Sequence, residues 1–215
     1  MTTRAALLQD LNAWTGRDDL TVDPTAGSIL RIAQSTMDRS VRLRAQEQAS
    51  DLVCTSRRTA LPEGFLAFRS VTIDSSIDRR IEQMSPEQIR ASGVWTNQNY
   101  RGENTPANAY SLEGSEIVLA PAPSVDNPTT LNLVYYAKLP ALIAPTDTNT
   151  LLTLHYDLYL WAVLTAAAVF LEDMELERLY NAKFNRTLED VVKNERRARF
   201  SGSGLRPTGN VRHIV

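Results

Sequence analysis

Apolar residues recur every three or four positions towards both ends of the chain and every second position in parts of its middle. Near the start, Leu7, Leu8, Leu11 and Trp14 form one stripe and predict a helix over residues 4–14. After the connection "TGRDDLTVDP", Asp23 has the chemistry of an N-cap and Pro24 suits a first helical position. The helix so begun is predicted to run to about residue 49, with Ile29, Ile32, Ala33, Met37 and Val41 on one side.

The middle changes period. "LVCTSRRTALPEGFLAFRSVTI" offers short strand-like runs around a break at Leu61-Pro62 and a turn at Glu63-Gly64. "SPEQ" at residues 85–88 carries the capping-box signature of one short helix. "AYSLEGSEIVLAP" predicts a hairpin: strands at 109–112 and 116–119 around the turn Glu113-Gly114. Residues 129–138, "TTLNLVYYAK", alternate and are rich in β-formers. "SGVWTNQNYRGENTP" reads as an exposed polar loop.

Helices return after "PTDTNT". Thr150 or Asn149 is the expected cap of a helix over 151–171, and a last helix is expected from 174 to about 198. Its predicted stripe is Leu176, Leu179, Tyr180, Phe184, Leu188, Val191 and Val192. Residues 200–215 have no periodicity, and Gly202, Gly204, Pro207 and Gly209 would interrupt either kind of element.

The expected fold class is therefore α+β: mainly an α-helical bundle, with a small antiparallel β-rich insertion and an extended C-terminal arm. The expected division is residues 1–50 and 149–199 for the helices, 51–148 for the insertion and 200–215 for the arm. The run "LYLWAVLTAAAVFL" is only 14 residues long, whereas a membrane span needs ~20. It predicts a buried helix, with small residues at Ala162, Ala166 and Ala167. Being apolar on nearly every face, it is expected to draw part of its cover from a neighbouring subunit.

Charge and cysteine usage narrow the function more than overall hydrophobicity does. A net charge of −2 gives no global pull towards nucleic acid or an anionic membrane. The single cysteine, Cys54, excludes an intrachain disulfide and a cysteine-rich zinc site. The start "MTTRAALLQDLNAW", interrupted by Asp10, lacks the apolar core of a signal peptide.

No catalytic, cofactor or metal residues are expected. There is no GxSxG, P-loop, HExxH or dinucleotide fingerprint. His155 and Asp157 are two apart, so on a helix they face different ways, and His155 reads as a helix-start or interface residue. His213 stands in the irregular tail. Glu172, Asp173, Glu175 and Glu177 read as acids that solvate a helix–helix turn and favour the start of the next helix. Cys54 reads as a buried small residue.

Arginines form two clusters. Arg39, Arg42 and Arg44 crowd the second predicted helix, followed by Arg57 and Arg58. Arg196, Arg197 and Arg199 close the last one, with Arg206 and Arg212 beyond. Aromatics are not interleaved with them as a single-strand stacking platform requires, so protein docking is expected ahead of nucleic acid.

Five stretches in order carry a resemblance: "ALPEGFLAFRSVTI", "SPEQI", "GSEIVLAPAP", "LNLVYYAKLPAL", and the long run from "LLTLHYDLYLWAVL" to "NERRARFSG". Together they resemble the head-to-tail adaptor proteins of tailed, especially short-tailed, bacteriophages, the tail tubular protein A group. The resemblance implies a ring, usually a dodecamer, under the portal protein at the capsid vertex. Such a ring continues the DNA channel and carries the tail nozzle or tail-tube protein. The implied location is the capsid–tail junction of a virion, after synthesis in the host bacterial cytoplasm, with no membrane partner and no cofactor.

The resemblance also implies a C-terminal arm that reaches the portal. The expected portal-binding residues are Arg196, Arg197, Arg199, Phe200, Leu205, Arg206, Val211, Arg212 and Ile214; Arg39, Arg42 and Arg44 are candidate partner or DNA-channel contacts. Double-stranded DNA is expected to pass without specific binding, since strong phosphate contacts would hold a molecule that must slide. Two alternatives stand beside this reading. One is a peptidoglycan hydrolase using Glu172 or Glu175. The other is a DNA-binding packaging protein using Arg39, Arg42 and Arg44.

Overall fold

The computed structural model describes residues 2–73, 79–91 and 107–199. The described residues form two compact units, one from those of Met1–Ala45 and Pro140–Val215, the other from those of Gln46–Leu139. The fold class is α+β.

In the first unit, α1 (Arg4–Thr15) starts where Thr3 Oγ1 accepts a bond from the Ala6 amide at 3.3 Å. It stops at Gly16, whose φ of 65° lets its amide turn back to the Asn12 carbonyl. Leu7, Leu8 and Leu11 are buried as the stripe predicts, but Trp14 is half exposed. A 3-10 turn at Asp18–Thr21 buries Leu20.

Helix α2 (Thr25–Ser40) begins just after Pro24. Asp23 serves its first turn, as its Oδ1 accepts from the Gly27 amide at 3.0 Å. Asp23 also holds the buried Arg4 through both carboxylate oxygens, at 2.7 and 2.8 Å. Ile29, Leu30, Ala33 and Met37 enter the core, whereas Ile32 stays exposed.

The end of α2 corrects the expectation: it stops at Ser40, not near Ala49. Val41 and Leu43 are both buried, a period-two placement that no helix provides. Between them Arg42 Nη1 donates to the carbonyls of Asp38 and Val41, both at 2.6 Å, and so covers acceptors that the ended helix leaves open.

After Leu139 the chain re-enters this unit. Asp147 Oδ2 collects the amides of Ile143 and Ala144, and Asn149 Oδ1 caps α4 (Thr150–Leu154) by accepting from Leu152 at 2.8 Å. The predicted single helix 151–171 is in fact two, α4 and α5 (Tyr156–Phe170), parted at His155 with φ −134° and ψ 61°. His155 is thus a helix-start residue. No glycine or proline marks the break, so apolar periodicity reads straight through it.

Helix α6 (Met174–Arg199) returns along α5. Helix α5 is packed by α1, α2, α4 and α6. Ala162, Ala166 and Ala167 are buried within the chain itself, so their cover needs no neighbouring subunit. Of the stripe predicted on α6, Tyr180 and Phe184 are buried, Leu188, Val191 and Val192 half-buried, and Leu176 and Leu179 exposed.

The second unit holds two four-stranded sheets and one short helix. Its elements are β1 (Glu47–Cys54), β2 (Arg58–Ala60), β3 (Phe65–Ile73), β4 (Arg79–Arg80), β5 (Glu82–Gln83), α3 (Pro86–Ala91), β6 (Ala109–Glu113), β7 (Glu116–Ala120) and β8 (Thr129–Ala137). The strand orders are β1-β8-β3-β4 and β2-β7-β6-β5. All pairs are antiparallel except β5 with β6.

Several local signals are met as read. β8 alternates buried and half-buried residues along its length, because it is central and one face meets the core. β6 and β7 pair from Ala109↔Ala120 to Glu113↔Glu116 around Gly114, which has φ 64°. In the capping box of α3, the Ser85 amide donates to Gln88 Oε1 at 2.9 Å and the Gln88 amide to Ser85 Oγ at 3.2 Å. The core is shared by both sheets: Cys54, Val71, Ile73, Tyr110, Ile117, Leu119, Leu131, Leu133 and Tyr135 all belong to it. The predicted loop 92–106 lies outside the described residues.

Candidate interaction surface

The segment after α2 and the end of α6 meet at one end of the helical unit. Helix α6 is long enough to bring its last turns to the segment after α2, where the Arg44 amide donates to Glu195 Oε2 at 3.1 Å. Arg44, Lys193, Arg196 and Arg197 are exposed and Glu195 is half-buried. Arg199 is the last residue of α6. Cations at a helix C-terminus are also favoured by its dipole. Arg42, by contrast, is engaged on backbone carbonyls and belongs to the scaffold. Phe200, Leu205, Arg206, Val211, Arg212, His213 and Ile214 lie outside the described residues.

Arg39 belongs to a different surface. It lines a shallow depression of about 420 Å³ on the outer side of α2 with Ser28, Arg31, Ile32 and Ser35. These residues recur at helical spacing, so they share one face. Arg31 Nε bonds its own helix at the Gly27 carbonyl (3.2 Å), and Arg39 Nη2 reaches Thr36 Oγ1 at 3.4 Å. Neither arginine has a carboxylate partner among the described residues. Arg31 also borders a neighbouring groove of about 440 Å³, formed with Arg4, Asp23, Leu30, Leu142 and Ile143.

A third surface was not foreseen. The α5–α6 hairpin ends in exposed apolar side chains: Val169, Phe170, Met174, Leu176 and Leu179 are between 36% and 60% exposed. Burying such groups is worth ~1.5–3 kcal/mol each, and a cluster of them outside water's reach is the usual state. Among them stand the exposed Glu172 and Glu175. Nearby, the half-exposed Trp14 meets Trp161 edge-on at 5.3 Å and Tyr180 at 6.5 Å.

The acids at this hairpin act as the sequence suggests. Asp173 Oδ1 accepts from the amides of Glu175 and Leu176 at 3.1 and 3.0 Å and caps α6. Glu172 and Glu175 are open to solvent, not enclosed as a paired acid and nucleophile would be. Cys54 is fully buried, and burial pushes its thiol up, which suits an inert core residue. Arg58 is taken up by Glu113 and by Glu116, the latter at 3.2 Å. Among the described residues, no group of three or more His, Cys, Asp or Glu side chains could hold a metal ion. No described helix is long and apolar enough to cross a membrane.

Charged helix ends, an open basic helix face and an exposed apolar cap are the equipment of a protein that works by docking. The chain belongs to the SU10 adaptor protein family, whose model matches residues 2–208. It is thus a phage adaptor protein, a structural component of the virion that joins head and tail. No curated protein searched matches the chain.

Proposed function

We propose that this adaptor forms a ring, a dodecamer, beneath the portal protein and continues the DNA channel towards the tail. The helical unit, packed as a bundle, would build the ring wall, and the ring would be the platform for the tail nozzle or tail-tube protein and a passage for genome ejection. The observation that carries this reading is the family match, which spans both units and not one of them alone. A net charge of −2 supports a conduit through which DNA slides without specific binding.

Within that reading, the basic end of the helical unit faces the portal. Arg196, Arg197 and Arg199 begin the contact, and Phe200, Leu205, Arg206, Val211, Arg212 and Ile214 extend it as an arm. Glycines at 202, 204 and 209 would let its backbone lie close to a partner. Repetition around a ring turns a weak single contact into firm attachment through effective concentration. Arg39 and Arg44 remain partner or channel contacts in this reading, while Arg42 serves them only by fixing the end of α2.

Truncation tests it. Removing residues 201–215 should leave the helix content and melting temperature of the free protein nearly unchanged and abolish attachment to portal rings. Arg206→Glu with Arg212→Glu should give a milder, salt-sensitive loss. Full occupancy of portal rings by the truncated protein would contradict the arm.

A further inference from the structure

We infer that the exposed α5–α6 hairpin cap of one copy docks on the outer face of α2 of a second copy. This rests on the ring reading above and names the surfaces that would join its subunits. The cap offers apolar side chains, Phe170, Met174 and Leu176, with two carboxylates, Glu172 and Glu175, that have no cationic partner among the described residues. The α2 face offers the converse: Arg31 and Arg39 without carboxylate partners, and between them the exposed Ile32 over a shallow depression of about 420 Å³. Apolar groups at the centre with opposite charges around them are what a specific interface requires.

Within one copy the two surfaces form no ion pair with each other among the described residues. Helices α2 and α6 each pack against α5. The α2 face in question is turned away from its buried residues Ile29, Ala33 and Met37. Two different, complementary patches on one chain make a head-to-tail contact, which closes into a ring when the rotation permits. A self-matching patch would instead stop at a dimer. The hairpin cap carries acids first, and the first cation of α6, Arg178, comes only after them.

Cysteine pairing tests this directly, since the native Cys54 is fully buried and stays out of the chemistry. Ile32→Cys and Met174→Cys would be made separately in the full chain and assembled on portal rings as an equal mixture, then treated with a short bismaleimide. Cross-linked dimers are expected from the mixture and not from either variant alone; the protein carrying both substitutions should give a ladder of multimers. Reversing charge on one face, Arg31→Glu with Arg39→Glu, or on the other, Glu172→Arg with Glu175→Arg, should lower assembly about tenfold. All four changes together should restore most of it.

Rings that assemble without a 32–174 cross-link, or cross-links from one variant alone, would overturn these surfaces and leave the ring standing. Only single copies on the portal would overturn the ring and this inference with it.

Discussion

Glu172 is the one non-glycine residue with positive φ among those described, at 57°. It sits where α5 turns into α6, and the backbone there closes in the manner of a Schellman motif. The Glu172 amide bonds the Val169 carbonyl at 3.1 Å, and the Asp173 amide bonds the Ala168 carbonyl at 3.0 Å. Helix α1 ends with a glycine in the same left-handed region, Gly16. A side chain there costs ~1–2 kcal/mol. Glu172→Gly should therefore raise the melting temperature by about 2–4 °C, measured by thermal unfolding. If the hairpin cap is an interface, the same change should weaken assembly, because the residue kept at that cost supplies a carboxylate.

Tyr159 gives the fold a pH signature. Burial in α5 pushes its phenol up to about 12. The neutral form is the one the fold prefers. Its contribution is fully present below the unfolded value of ~10 and is lost as pH rises towards the folded value. Stability should thus fall between about pH 10 and 12. Tyr159→Phe should flatten that part of the alkaline limb in denaturant titrations, with little effect at pH 7. An equally steep limb in the variant would show that other groups govern it.

At the level of elements, local chemistry was legible and reach was not. The capping box at Ser85, the hairpin turn at Gly114, the alternation of β8 and the cap at Asn149 each depend on neighbours within four residues, and each is where the sequence places it. The end of α2 and the break at His155 depend on where distant side chains pack. Neither carries a glycine or proline to announce it. β1 begins earlier than its apolar residues suggest, because an outer strand tolerates the exposed Gln48 and Asp51, and Glu47 is paired with Arg69 of β3. Asn149→Ala should cost about 1–2 kcal/mol in chemical unfolding, since the cap accepts from a buried Leu152 amide while its Nδ2 reaches the Pro140 carbonyl at 3.4 Å. An unchanged midpoint would mean that α4 is held by packing alone.

For the whole molecule, the class of protein was legible because it rests on the joint order of many ordinary stretches. The surface they build was legible in part. Arg39, Arg44, Arg196 and Arg197 are exposed, but the meeting of Arg44 with Glu195 joins residues 151 positions apart, and no local pattern encodes it. Leu176 and Leu179 misled because an apolar residue on an amphipathic helix reads as core until the partner helix is known.

The account stands or falls on the ring, and imaging settles it most directly. Negative-stain electron microscopy of the protein mixed with its portal, or of virions, should show many copies arranged as a closed ring coaxial with the portal, with an open channel at its centre. Single copies scattered on the portal, or a compact mass without a central channel, would contradict it.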